Sequence, residues 1–284
     1  MKRAMATLLG ILVATAATAQ VPDGDQHWNA RAEGSQNGRA KADQINAAIA
    51  AYQKAVTADP NDLDPRWKLL RALRFKGAYV AATNDEKKQI YAQAKRSGDE
   101  AMKVLDKRLA AKGINSPSKA SEKQVAEAAK TISGAPEIFL WDSINWGEWA
   151  LAYGKFAAAR EGAADRIRRE ATIANLVDPK LEGGSPSRVL GRLHDQTPRI
   201  PFLTGWASSR DAVRFLNDSL KIDPANKITI VFLAEAMVNN NSDARPQAVQ
   251  MLKNAVATPI DTNYVVEQTA ALNDAKNLLR KWGA

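Results

Sequence analysis

From Lys41 onward, apolar side chains recur every three to four residues, and no stretch alternates apolar with polar positions as a half-buried strand does. Ile45, Ile49, Tyr52 and Val56 form one stripe, spaced four, three and four, which predicts an amphipathic helix. Asp59-Pro60-Asn61-Asp62 ends it. A second helix is predicted from Pro65 to Tyr79 on the stripe Trp67, Leu70 and Leu73. Thr83 and Glu86 have capping-box spacing and open a long charged helix to about Leu109; Ser121 and Gln124 open another, to about Ile132. Ser133-Gly134-Ala135-Pro136 breaks that one and places Pro136 in the first turn of the next. Further helical stretches are predicted over 137–153, 156–177, 186–195, 209–221, 226–239, 245–257 and 262–282.

The breaks between helices share a grammar. Ala48, Tyr52, Ala55 and Pro60 are spaced 4, 3 and 5, and Ala212, Leu216, Ser219 and Pro224 repeat both spacing and side-chain size. Ile167, Ala171, Ala174 and Pro179 keep the spacing but put the large residue first; Ala248, Leu252, Ala255 and Pro259 keep the sizes with the last step one short. Asp-Pro recurs at 59–60, 178–179 and 223–224. Small residues let paired helices approach, the large one fills the groove, and proline stops the helix. These positions match the second helix of a tetratricopeptide repeat. The expected fold is all-α, a tetratricopeptide-like helical-hairpin array with inserted helices, stacked as a curved or closed array.

The N-terminus changes the picture. Lys2 and Arg3 precede the apolar run Leu8 to Val13, and Ala17-Thr18-Ala19 offers small residues for cleavage before Gln20. Residues 1–19 therefore read as a signal peptide, 20–40 as a polar, flexible lead-in, and 41–284 as a single helical repeat-type domain. The expected location is the periplasm. The apolar run is short of the ~20 residues a spanning helix needs, so no membrane span is expected.

Alanine is the commonest residue, in keeping with an all-helical chain. Cysteine is absent, which excludes disulfides, thiolate catalysis and zinc knuckles. Two histidines are too few for a His-built metal site, and no metal or cofactor is expected. The formal charge of +9 falls to +7 when Lys2 and Arg3 leave with the signal peptide. The remaining basic residues are dispersed over helices, so nucleic acid is not an expected partner. Phosphate loops, dinucleotide-binding glycine motifs, nucleophile elbows and zinc-protease helices are all missing.

The densest unusual region is 139–206, which holds four of the seven tryptophans. Trp146, Trp149 and Tyr153 fall three and four apart, on one helix face. Gly183-Gly184-Ser185-Pro186 and Pro198-Arg199-Ile200-Pro201 imply specific turns around Arg188, Arg192, His194 and Trp206. The aromatics serve either as core between long helices or as the lining of an apolar groove. Trp146, Trp149, Tyr153, Arg188, Arg192 and Trp206 are the candidate contact residues, with Arg188 or Arg192 fixing a carboxylate.

The Trp-rich helix, the Asp-Pro break, Gly-Gly-x-Pro and Arg188-x-Leu190-Gly191-Arg192-Leu193 together resemble the T-component family of TRAP transporters. The resemblance covers about 40–257 and is strongest over 139–224. It implies a non-enzymatic periplasmic protein with cryptic tetratricopeptide-type repeats, a hydrophobic cleft or pore, a substrate-binding protein as partner, and a homo-oligomeric form. The chain differs from the lipoproteins common in that family in having no cysteine to acylate. The leading reading is an exported, non-enzymatic binding or adaptor protein for a protein partner or a small apolar or organic-acid ligand. Two others compete: an envelope enzyme acting on wall polymers through Glu148 or Glu170 near His194, and a structural scaffold for envelope assembly.

Overall fold

The three Asp-Pro stops adopt one geometry. The chain leaves its helix at Asp59, Asp178 and Asp223 in the same extended conformation, with φ of −128°, −143° and −131° and ψ of 94°, 95° and 86°. Each aspartate N–H closes on the carbonyl four residues back, at Ala55, Ala174 and Ser219. The Asp59 and Asp178 carboxylates then accept the N–H groups of Asn61 and Lys180, both at 2.9 Å, a side-chain turn that hands the chain to the next helix. Proline, which has no N–H to offer a helix, follows immediately. All twelve of the small and large positions singled out in the sequence are buried.

The computed structural model describes residues 21–284; the expected signal peptide at 1–19 lies outside the described residues. The helices are α1 over 21–29, α2 (Ala42–Ala58), α3 (Asp64–Tyr79), α4 (Asn84–Ala110), α5 (Glu122–Ala129), α6 (Ala135–Tyr153), α7 (Lys155–Arg160), α8 (Ala163–Val177), α9 (Leu181–Gln196), α10 (Ser209–Ile222), α11 (Lys227–Asn240), α12 (Arg245–Ala257) and α13 (Val265–Lys281). Both capping boxes form in full, Thr83 with Glu86 and Ser121 with Gln124, so these two starts are encoded locally.

The helices pair as α3 with α4, α6 with α8, α9 with α10 and α11 with α12; α5 and α7 are insertions against α8. The first members of successive pairs touch in turn, α3 to α6, α6 to α9, α9 to α11 and α11 to α13, forming an inner layer. This is a tetratricopeptide-like helical-hairpin array with inserted helices. Its core is distributed along the array, one cluster per neighbouring set of helices.

The array closes on itself. Val266 of α13 joins Ile45, Tyr52, Leu73 and Phe75 in one buried cluster. The buried Arg31 guanidinium binds the Glu267 carboxylate at 2.9 Å and the Asn263 carbonyl at 2.7 Å. Gly38, at φ +75°, lies so close to α13 that a Cβ would stand 2.6 Å from the Ala270 nitrogen. Residues 21–40 are therefore packed, where local polarity predicts a flexible lead-in. Trp28 meets Phe75 edge-on at 5.7 Å, and the His27 ring bonds the Gln44 side chain at 2.7 Å. Partners so far away in sequence leave no periodic trace in the segment itself. The single helix predicted over 156–177 is two, because Gly162 takes a left-handed conformation (φ +65°) between α7 and α8.

Candidate functional site

On α3, the residues next to the apolar stripe are Arg71 and Arg74, one turn apart and facing the same side. Opposite them, α9 begins with three left-handed residues, Glu182 (φ 47°), Gly183 and Gly184. A left-handed backbone is uncommon for glutamate. Here it brings the Glu182 carboxylate to 3.9 Å from Arg71. Arg188 follows from the same helix. A polar cluster therefore stands between α3, α6, α9 and α13.

Its members are neutralised unequally. Arg74 donates to Glu148 at 3.1 Å and to the Tyr79 hydroxyl at 2.9 Å; burial works against its charge, but these neighbours hold its pKa above the ordinary value. Arg31 has Glu267. Arg71 lies over the Trp28 and Trp67 rings at 4.0 and 4.8 Å, with its Nε buried and unpartnered. Burial lowers its pKa, with Glu182 acting in the opposite direction. Arg188 donates only to hydroxyls, Ser185 Oγ and Thr229 Oγ1, the latter at 3.2 Å. Burial, reinforced by the Arg74 cation, pushes its pKa down to about 10. It is thus still charged at neutral pH, with spare N–H donors and no carboxylate in contact. A planar fork of donors in that state suits a bidentate carboxylate.

The residues expected to act together are divided among three places. Trp146 and Trp149 are buried between α4, α6 and α8, packed with Tyr91, Ala163 and Ile167. They are core rather than groove lining. Tyr153 stacks on Trp149 at 4.9 Å and is the exposed end of this ladder. Arg188 and Arg192 both face inward from α9, but Arg192 is ion-paired through Nη1 with Glu235 at 2.8 Å and Asp195 at 3.1 Å. Trp206 sits beyond the end of α9, where its Nε1–H donates to Asp165 at 2.9 Å.

The acid–base set of the enzyme reading is not assembled either. Glu148 is paired with Arg74, and Glu170 is buried in a knot between α4, α6 and α8. There Arg166 binds Asp99 at 2.9 Å, Asp142 at 2.6 Å and Glu170 at 2.9 Å. Burial raises the pKa of Glu170 well above the carboxylate range, and the neighbouring Asp142 adds to it. His194 belongs to another cluster, packed between Trp206 and Phe215; its Nδ1 accepts the Ser208 N–H, and burial lowers its pKa.

Arg71, Arg74 and Glu182 escaped the sequence reading. The available signal was a pair of arginines one turn apart beside an apolar stripe, and a glutamate directly before Gly-Gly. Among the described residues, no group of three or more His, Asp or Glu is arranged to hold a metal ion.

No family model matches the chain, and no curated protein matches it in sequence. A solved structure, the TPR2AB-domain:pHSP90 complex of yeast Sti1, is similar at 13% identity and a TM-score of 0.32, covering 95% of this chain and 100% of that one.

Proposed function

We propose that this is a non-enzymatic helical-repeat binding protein whose closed inner face receives a carboxylate, carried by an organic acid or by an acidic segment of a partner protein. The observation that carries the reading is Arg188, a desolvated guanidinium among arginines, held by hydroxyls alone. A cation left in that state favours an anion that can enter. In the finer form of this reading the protein is exported and acts as a T-component-like partner of a transporter's substrate-binding protein. The run from Arg188 to Leu193 supports it. Gly191 lies so close to α10 that a Cβ would stand 2.5 Å from Leu216 Cγ, and Arg188 and Arg192 face inward on either side of that contact.

The test is native mass spectrometry of the purified protein, followed by calorimetric titration with mono- and dicarboxylates. Wild-type protein retains or binds an organic acid, and Arg188→Leu weakens binding at least tenfold. Arg188→Lys recovers part of it, because the charge remains while the bidentate fork is lost. Absence of any response to acids, together with partner capture unchanged by Arg188→Leu, would overturn the reading.

A further inference from the structure

One end of the array gathers the C-terminus of α6, all of α7, the start of α8 and the loop 197–208 between α9 and α10. The Trp206–Asp165 hydrogen bond ties that loop to α8, and Leu193 of α9 packs into the same cluster as Ala157 and Ala158 of α7. Large apolar side chains stand exposed there on two separate segments. Phe156 is 95% exposed and Leu151 73%; on the 197–208 loop Phe202 is 106% exposed and Leu203 66%. A Phe at φ +64° with full exposure is an unusual combination, and it aims the ring clear of its surroundings.

The loop is held in that shape before anything binds. Pro198 and Pro201 restrict it, the Thr204 hydroxyl accepts the Ile200 N–H and donates to the Pro198 carbonyl, and the Thr204 N–H returns to Ile200 at 2.9 Å. Behind the tips lie two amphipathic aromatics with their polar ends anchored, Tyr153 on the Lys88 carbonyl and Trp206 on Asp165. Lys155, Arg160 and Arg199 flank the tips with no ion-pair or hydrogen-bond partner among the described residues. The neighbouring acids are already engaged, Glu161 with Lys95 at 3.1 Å and Asp165 with Arg168 at 3.6 Å.

We propose that this rim docks on the surface of an anionic lipid bilayer. The apolar tips would enter the boundary between headgroups and acyl chains, Tyr153 and Trp206 would lie at headgroup level, and the three free cations would face anionic lipid. Charge selects this occupant, since every uncompensated charge at the rim is positive. Shape agrees with it. Isolated projecting tips on two segments are enclosed completely by a fluid phase, whereas a folded partner would need a separate pocket for each.

The absence of cysteine makes the test local. Leu203→Cys in the full chain is labelled with an environment-sensitive fluorophore, and Lys54→Cys on α2 serves as a control outside the rim. With phosphatidylglycerol-containing vesicles, the label at 203 shifts to shorter wavelength and brightens several-fold, while the label at 54 does not. The response disappears in pure phosphatidylcholine and is weakened by salt. Neutralising Lys155, Arg160 and Arg199 to Gln lowers vesicle affinity by about fivefold per charge, about a hundredfold together. Phe156→Ser with Phe202→Ser lowers it at least tenfold. An unshifted label at 203 on bound vesicles overturns the proposal, because attachment then runs through another part of the chain. A shift that depends on protein concentration without vesicles also overturns it, by making the rim an interface between copies.

Discussion

Two partly buried arginines of this protein have surroundings of opposite character. Arg166, between α4, α6 and α8, is ringed by Asp99, Asp142 and Glu170, which overcome the cost of its burial and hold its pKa above the ordinary value. Arg188, on the inner face of α9, has only two hydroxyls in contact; burial and the Arg74 cation push its pKa down to about 10, against the more distant pull of Glu182 and Asp223. In the first arrangement the protein itself supplies the carboxylates that hold the cation. The second leaves a desolvated cation with donors to spare. Burial of the same side chain therefore marks structure in one place and receptivity in the other, and the distinguishing feature is whether the protein itself supplies the anion.

The largest expected effect breaks the complete site. Arg166→Leu leaves the fully buried Asp142 and the nearly buried Glu170 without their cation, and costs about 3–5 kcal/mol in denaturant unfolding. Arg31→Ala does the same to Glu267 at the closure of the array, for about 3 kcal/mol. Hydrogen exchange should rise along 21–40 and α13 while α4 to α8 keep their protection, because the pair joins residues at opposite ends of the described chain. Uniform loss of protection would mean the array is not held closed there.

Gly98→Ala is third. Its Cβ would fall 1.8 Å from Asp142 Oδ1, so α4 or the carboxylate must move, at a cost of about 1–3 kcal/mol. A matching substitution, Gly113→Ala, meets no neighbour but sits at φ +90°, and reports backbone strain alone. The smallest effect is a slope. Burial raises the pKa of both Asp142 and Glu170, so the folded chain holds more protons than the unfolded chain above about pH 4. The contribution of this pair to stability therefore falls as pH rises through the native values. Glu170→Gln flattens that decline, and an unchanged pH–stability profile would show that the pair does not titrate as described.

Much of the scaffold was legible because its determinants are local. The small–large–small–Pro spacing requires no distant partner to be read, and all three Asp-Pro stops take one conformation. The capping boxes at Thr83 and Ser121 lie within four residues. What escaped depends on partners far along the chain. Arg31 meets Glu267, Gly38 meets Ala270 and Arg71 meets Glu182, none of which periodicity can connect. The aromatic face of α6 was visible, but Trp146 and Trp149 share a face whether that face is core or groove, and only the packing of α4 and α8 decides for core. Arg188 and Arg192 read alike in sequence; Glu235 on α11 separates them.

Unfolding of wild type and Arg188→Leu with and without a dicarboxylate tests the role of Arg188 most directly. Without ligand, Arg188→Leu should be as stable as wild type or slightly more so, since it removes a charge whose burial outweighs the pull of Glu182 and Asp223, neither of which touches it. With ligand at a hundredfold excess over its dissociation constant, wild type should gain about 2.7 kcal/mol and the variant nothing. If instead Arg188→Leu is destabilised as severely as Arg166→Leu and the dicarboxylate leaves wild type unchanged, Arg188 is a structural strut like its counterpart and receives no carboxylate.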